Sequence, residues 1–272
     1  MSSDARSRES RGPFNTDQLR PGDRYELSNG HPIYCAPTGG DGSRANAVGA
    51  SVLETDPEVD SAGVDAGYAS GAQTLRAPDI AVGGIPDQPG WIKGAPPLAV
   101  EYASRGQDEG ELKNKIAELL CAGTRFVWVV RLIGPRRVEV YEPQTPMRTF
   151  GPGEKLTAPG VLRNPVLVEA LYDRNAAHEA TLVNLLQRRG YANLDAVRDE
   201  GIERGIEQGI EQGIEQALRE MRSNLIEALS SRPIALDDAH LALVNGCKSL
   251  TKITTWIRRA DREMPIDKIF ED

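Results

Sequence analysis

Cysteine and histidine are scarce in this 272-residue chain, with three of each, and no two cysteines form a CxxC pair. An odd number of distant cysteines, Cys35, Cys121 and Cys247, argues against a disulfide framework and against a structural zinc site. His31, His178 and His240 are equally dispersed. A surplus of positive charge is missing too. The formal net charge of −8 leaves no global basic field, so any nucleic-acid contact has to come from a local patch. No apolar run approaches the ~18 residues needed to span a bilayer. The opening "MSSDARSRESRGPFN" lacks the apolar core of a secretory signal. These absences predict a cytoplasmic protein with no membrane span.

What is present begins with alternating strand patterns. "RYELSNGHPIYCAP", Arg24 to Pro37, reads as two short strands around a turn at Ser28-Asn29-Gly30. The region from 39 to 71 is rich in Gly, Ala, Ser and Asp, with a short helix near 46–53 and a strand within 63–68. "TLRAPDIAVGG" reads as one strand with Pro78-Asp79 at its centre, and "PLAVEYAS" as the next. "DEGELKNKIAELLCAG" places Leu112, Ile116, Leu119 and Leu120 on one helical face. A hairpin turning at Gly134-Pro135 and a strand-and-turn passage to Asp173 follow. Strands, then helix, then strands predict an α/β (α+β) core with a mixed sheet flanked by helices.

After Asp173 the pattern turns helical. "GIERGIEQGIEQGIEQ" repeats Gly-Ile-Glu-x every four residues, and Ile214, Leu218, Met221 and Leu225 continue it as a coiled-coil-like seam. Each internal glycine costs a helix ~1 kcal/mol relative to alanine. Either a partner helix approaches along that face, as in a homodimer, or the segment is a partly helical tether. The expected organisation is a disordered lead-in (1–20), a core domain (21–175), a helical linker (176–223) and a small helical module (224–272).

Three polar residues interrupt the apolar central block: Asp79, Glu101 and Lys115. A buried carboxylate costs several kcal/mol unless something compensates it. Two carboxylates from neighbouring strands repel, and a hard divalent cation such as Mg²⁺ is the usual resolution. A nearby lysine can orient the attacking water and stabilise charge developing on a phosphate. Spacing alone leaves the bland reading open, in which Glu101 is a strand-end residue and the lysines are solvated.

Residues 22–173 resemble the Uma2 family of the PD-(D/E)XK restriction-endonuclease-like superfamily. The resemblance rests on "YELSNGHPIY", "RAPDIAV", "PPLAVEYAS", "ELKNKIAELLCAGTRFVWVV" and "GEKLTAPGVLRNPVLVEALYD", in that order. It implies a restriction-endonuclease-like fold and a Mg²⁺- or Mn²⁺-dependent DNA endonuclease of low or unknown sequence specificity. Asp79 and Glu101 would be metal ligands, with the Tyr102 backbone carbonyl a further oxygen. The superfamily lysine position is Ala103 here, and Lys115 on the helix stands in for it, with Lys113 the competitor. Glu26 and Glu111 match acidic family positions as supporting residues. Arg76, Ser104 and Arg105 flank the carboxylates within reach of a phosphate, with ordinary surface solvation the favoured reading for each. The tail resembles C-terminal extensions of transposase-like nucleases, and Lys252, Arg258 and Arg259 near Trp256 form its most basic patch. The alternative is a catalytically inactive nuclease-fold protein that assembles through its C-terminal helices.

Overall fold

The computed structural model describes residues 12–233 and 236–271. Residues 1–11 of the expected lead-in, and Ile234 and Ala235 within the break at "SRPIALDD", lie outside the described residues. The chain divides into two compact units, Met1–Asn193 and Leu194–Asp272.

In the first unit, β1 (Tyr25–Ser28) and β2 (His31–Tyr34) form the expected hairpin. Its turn residues Asn29 and Gly30 have φ of 48° and 78°, the region those two residue types reach at least cost. Then follow α1 (Gly40–Glu54), β3 (Ala62–Val64), β4 (Tyr68–Gly71), β5 (Thr74–Arg76), β6 (Ile80–Val82) and β7 (Ile92–Lys93). The site-bearing elements come next, β8 (Leu98–Ala103) and α2 (Glu109–Cys121). The unit closes with β9 (Phe126–Arg131), β10 (Arg137–Glu142), β11 (Thr145–Phe150), β12 (Lys155–Leu156), β13 (Val166–Leu167) and α3 (Arg174–Arg188).

Two sheets carry the architecture. One has five strands in the order β2-β1-β5-β4-β7, and the other six in the order β11-β10-β9-β8-β6-β3. In the larger sheet β8 and β9 run parallel, with α2 as their crossover, and the other pairs are antiparallel. "TLRAPDIAVGG" is therefore not one strand. β5 belongs to the small sheet and β6 to the large one, and the chain changes sheet at Ala77-Pro78-Asp79. Proline supplies no amide to a ladder, so a change of sheet there forfeits little.

The period-two alternation of the large sheet fixes which side chains meet. Ile80, Val82, Val100 and Trp128 face a core shared with α1 and the segment around Leu171. Ala99, Ala103, Val127 and Val129 face Leu112, Ile116 and Leu119 of α2. Glu101 shares the parity of Ala99 and Ala103, so it points toward α2. On the other face the Tyr102 hydroxyl donates to the Leu171 carbonyl at 2.8 Å. A Cβ at Gly49 would overlap that hydroxyl, which is why α1 carries glycine at its closest approach.

Two expectations are revised by local contacts. Residues 12–20 are not a free lead-in: the amide of Phe14 donates to Gly30 O and that of Thr16 to Ala72 O, both at 2.8 Å. The Trp91 indole donates to Thr16 O at 3.1 Å. Likewise α3 belongs to the first unit rather than to a linker, and packs on α1. Asn184, 4% exposed, donates to Val52 O, and Arg188 donates to the carbonyls of Glu54 and Thr55 at the end of α1 and of Asp56 and Val59 just after it. The docking uses polar side chains satisfying helix-end carbonyls, which an apolar periodicity does not reveal.

The second unit holds α4 (Leu194–Ser230), α5 (Asp238–Gly246), α6 (Leu250–Asp261) and α7 (Ile266–Ile269). Leu218, Leu225 and Leu229 are buried against Val244, Ile253, Trp256 and Ile269. The C-terminal half of the expected seam is thus covered within the chain. Trp256 lies in this core, and Arg259 donates to the carbonyls of Lys268, Ile269 and Glu271. The basic patch is accordingly part structural. Ile202, Ile206, Ile210 and Ile214 stay exposed, at 54%, 59%, 59% and 43%. Among the described residues no helix is long and apolar enough to cross a membrane.

Candidate active site

The site forms where β1, β5, β6 and β8 present polar residues to one face of α2. Asp108 caps that helix, accepting from the amides of Gly110 and Glu111. Its apolar face, Leu112, Ile116 and Leu119, fixes the rotation of the helix on the sheet. Residues 111, 115 and 118 then share a second face. Lys113 is exposed, so of the two candidate lysines it is Lys115 that turns inward.

The Lys115 ammonium lies 2.9 Å from Glu26 Oε1 and 2.9 Å from Glu101 Oε1. It donates to Glu101 Oε2 at 3.0 Å and to Ala77 O at 2.7 Å. The chain thus binds its lysine at the carbonyl where it changes sheet. Glu26 is buried on β1 rather than displayed on the hairpin surface, at 6% exposure. Its other oxygen, Oε2, accepts from Arg76 Nη1 at 3.0 Å across the β1–β5 pair.

Arg76 is not free to meet phosphate. Its side chain is 3% exposed, and it holds Glu26, Glu111 at 2.8 Å and Glu118 at 2.5 Å. Glu111 therefore pairs with Arg76 rather than orienting Lys115 one turn away. Glu118, which also accepts from Ser28 Oγ at 2.5 Å, is a member that sequence reasoning missed. Its signal was present, because 111, 115 and 118 fall on one helical face. Asn46 of α1 was missed as well. It donates to the Asp79 carbonyl at 3.3 Å from the helix that the sequence reading placed near 46–53.

Asp79 sits just before β6, and the Tyr102 amide donates to its Oδ2 at 2.6 Å. The ladder pairs Ile80 with Val100, so Asp79 and Glu101 are the next opposed positions. Burial pushes the Glu101 carboxyl up to about 8; Lys115 pulls it back, and the Asp79 and Glu26 carboxylates push it further. Asp79 is raised by burial, with Lys115 and the Tyr102 amide opposing. Burial pulls Lys115 down, but Glu101, Glu26 and Asp79 outweigh it and hold the amine above its ordinary range. A lysine held protonated in this way carries a fixed positive charge and has no free lone pair to act as a base.

These residues fit a hard divalent cation. Tyr102 occupies only one oxygen of Asp79. Glu101 meets the Lys115 ammonium through both oxygens, at 2.9 and 3.0 Å, so a cation here would share this carboxylate with the lysine. Among the described residues no three Asp, Glu, His or Cys side chains form a closed metal cage. An ion held here would therefore keep several waters, as Mg²⁺ does.

The family model described as "Uma2: Putative restriction endonuclease" matches residues 14–167. The crystal structure of "a putative nuclease belonging to DUF820" from Anabaena variabilis is similar in fold, with a TM-score of 0.52 at 20% identity. That likeness covers 61% of this chain and 99% of the other. No curated protein matches the chain.

Proposed function

The chain belongs to the Uma2 family, and from that membership together with its buried carboxylate–lysine constellation we propose that it is a divalent-cation-dependent endonuclease hydrolysing DNA phosphodiester bonds. The observation that carries this reading is the Lys115 ammonium within 3.0 Å of the Glu101 carboxylate, beside Asp79 on the neighbouring strand. Asp79 and Glu101 would hold Mg²⁺ or Mn²⁺, with the Tyr102 carbonyl as a further oxygen. The bound cation would supply Lewis-acid activation of water and charge stabilisation at the phosphate.

The remaining roles belong to side chains of this chain. Lys115 orients the attacking water and neutralises charge developing on the phosphate oxygens. Glu26 positions the ammonium, and Arg76 braces Glu26 and Glu111 from behind. Low or unknown sequence specificity is the expectation carried by this reading. With Mg²⁺ or Mn²⁺ the purified chain is expected to cut plasmid DNA, and Asp79→Asn and Glu101→Gln to abolish cutting. Intact plasmid, linear and single-stranded DNA under all conditions would favour the inactive interaction protein instead.

Self-association is proposed for α4, through Ile202, Ile206 and Ile210, whose side chains stand exposed beside open glycine positions. Light scattering on the full chain is expected to give a dimer, and Ile206→Glu with Ile210→Glu a monomer. A wild-type monomer at all concentrations would dismiss it.

A further inference from the structure

The segment that changes sheet, Ala77-Pro78-Asp79, is gripped by a side chain from each of two helices. From α2 the Lys115 ammonium donates to Ala77 O at 2.7 Å. From α1, which packs on the opposite face of the large sheet, Asn46 Nδ2 donates to Asp79 O at 3.3 Å. The other contacts of Asp79 come from backbone amides. That of Asp65 reaches the same carbonyl at 3.4 Å, and that of Tyr102 holds the carboxylate through Oδ2 at 2.6 Å.

Asn46 is the polar residue in a face of α1 otherwise made of Gly42, Ala45, Gly49, Val52 and Leu53. Spacings of four and three place Gly42, Asn46 and Gly49 in one line along the helix. A Cβ at Gly42 would stand 4.0 Å from Ser104 Oγ, and one at Gly49 would overlap the Tyr102 hydroxyl. The line therefore crosses the end of β8 just beyond Glu101, with Asn46 between its two close approaches. Only half of the Asn46 amide is answered there. Its Oδ1 is buried, and no donor among the described residues reaches it. Nδ2 and Oδ1 belong to one planar amide, so this acceptor lies close to the Asp79 peptide. A buried acceptor without a donor is costly, and an apolar side chain of similar size would avoid that cost.

We propose that Asn46 is a positioning residue of the cation site. Its Nδ2 fixes the Asp79 peptide, and its Oδ1 accepts a hydrogen bond from a water of the divalent ion shared by Asp79 and Glu101. The inference rests on the metal-site reading above and extends it to a helix outside the carboxylate–lysine constellation. A Mg²⁺ or Mn²⁺ ion held by two carboxylates keeps several waters, and in a buried site their protons need acceptors. Groups that orient ligands and waters from outside the coordination sphere set metal affinity by about tenfold to a hundredfold.

Mn²⁺ titration of the full chain, read by electron paramagnetic resonance of the free ion, tests this together with melting in chelator. Asn46→Leu, close to asparagine in size, is expected to weaken Mn²⁺ binding about tenfold to a hundredfold. In chelator it should melt no lower than wild type, because the unanswered acceptor leaves with the amide. Asn46→Ala serves as the second variant where leucine does not pack. Wild-type Mn²⁺ affinity in either variant overturns the inference. So does a loss of affinity that comes in both only with a lower melting temperature in chelator, which makes Asn46 a purely structural residue. In both cases Mn²⁺ binding by wild type that Asp79→Asn abolishes leaves the two-carboxylate site standing. If wild type binds no Mn²⁺, that reading falls and this one with it.

Discussion

Lys115→Met is expected to lower DNA cleavage by about 10²–10⁴-fold, the range typical of a positioned proton-transfer or charge-stabilising group. It should also cost the fold about 3–5 kcal/mol, as removal of one partner from a buried ion pair does. Methionine keeps the stem packed under α2, so the loss isolates the ammonium. Glu101 would then lose the ammonium that it binds, and Glu26 would keep Arg76 alone as counter-charge. Stability and activity separate in the double variant. Adding Glu26→Gln should return part of the stability, because one stranded charge is gone, and none of the cleavage. Recovery of both together would make Lys115 a purely structural residue. Wild-type cleavage by Lys115→Met would remove it from the chemistry.

The second large effect is a dependence on pH that runs opposite to ordinary acid denaturation. Glu101 titrates at about 8 in the fold against an ordinary 4.5, chiefly because it is buried. The folded chain therefore holds a proton that the unfolded chain releases between those values. Stability is full below about 4.5 and declines as pH rises toward about 8. Asp79, also raised by burial, adds to the same slope. Lowered carboxyls elsewhere, such as Glu139 with Arg131 and Arg137 around it, act only on the acid side. With chelator present, melting temperature is expected to fall by several degrees between pH 5 and pH 8.5. Glu101→Gln should flatten that limb. An unchanged limb in the variant would show that Glu101 is ionised and compensated throughout. Cation binding has to displace the same proton, so apparent Mg²⁺ affinity should tighten as pH rises over this window.

Much of this site was legible because its helix is amphipathic on two faces. The Leu112-Ile116-Leu119 stripe sets the rotation of α2, and the four-residue step from Glu111 to Lys115 then separates Lys115 from Lys113. Glu101 announced itself as a charge inside an apolar run. The Asn29-Gly30 turn was readable from two residues alone. Harder to read were features that depend on how strands are distributed between sheets. Nothing local in "TLRAPDIAVGG" says that the chain changes sheet between Arg76 and Asp79, so Arg76 read as a solvated residue flanking the carboxylates. It is instead a buried clamp on three glutamates. In the tail, Leu218 and Leu225 follow a dimer-like spacing, yet helices of the same unit cover them.

Calorimetric titration of Mn²⁺ into the full chain near pH 7, for wild type and for Glu101→Gln, tests the shared-ion site most directly. Binding by wild type with release of a proton to the buffer, and no binding by Glu101→Gln, is the predicted result. Equal binding by both proteins, or none by wild type, would contradict it.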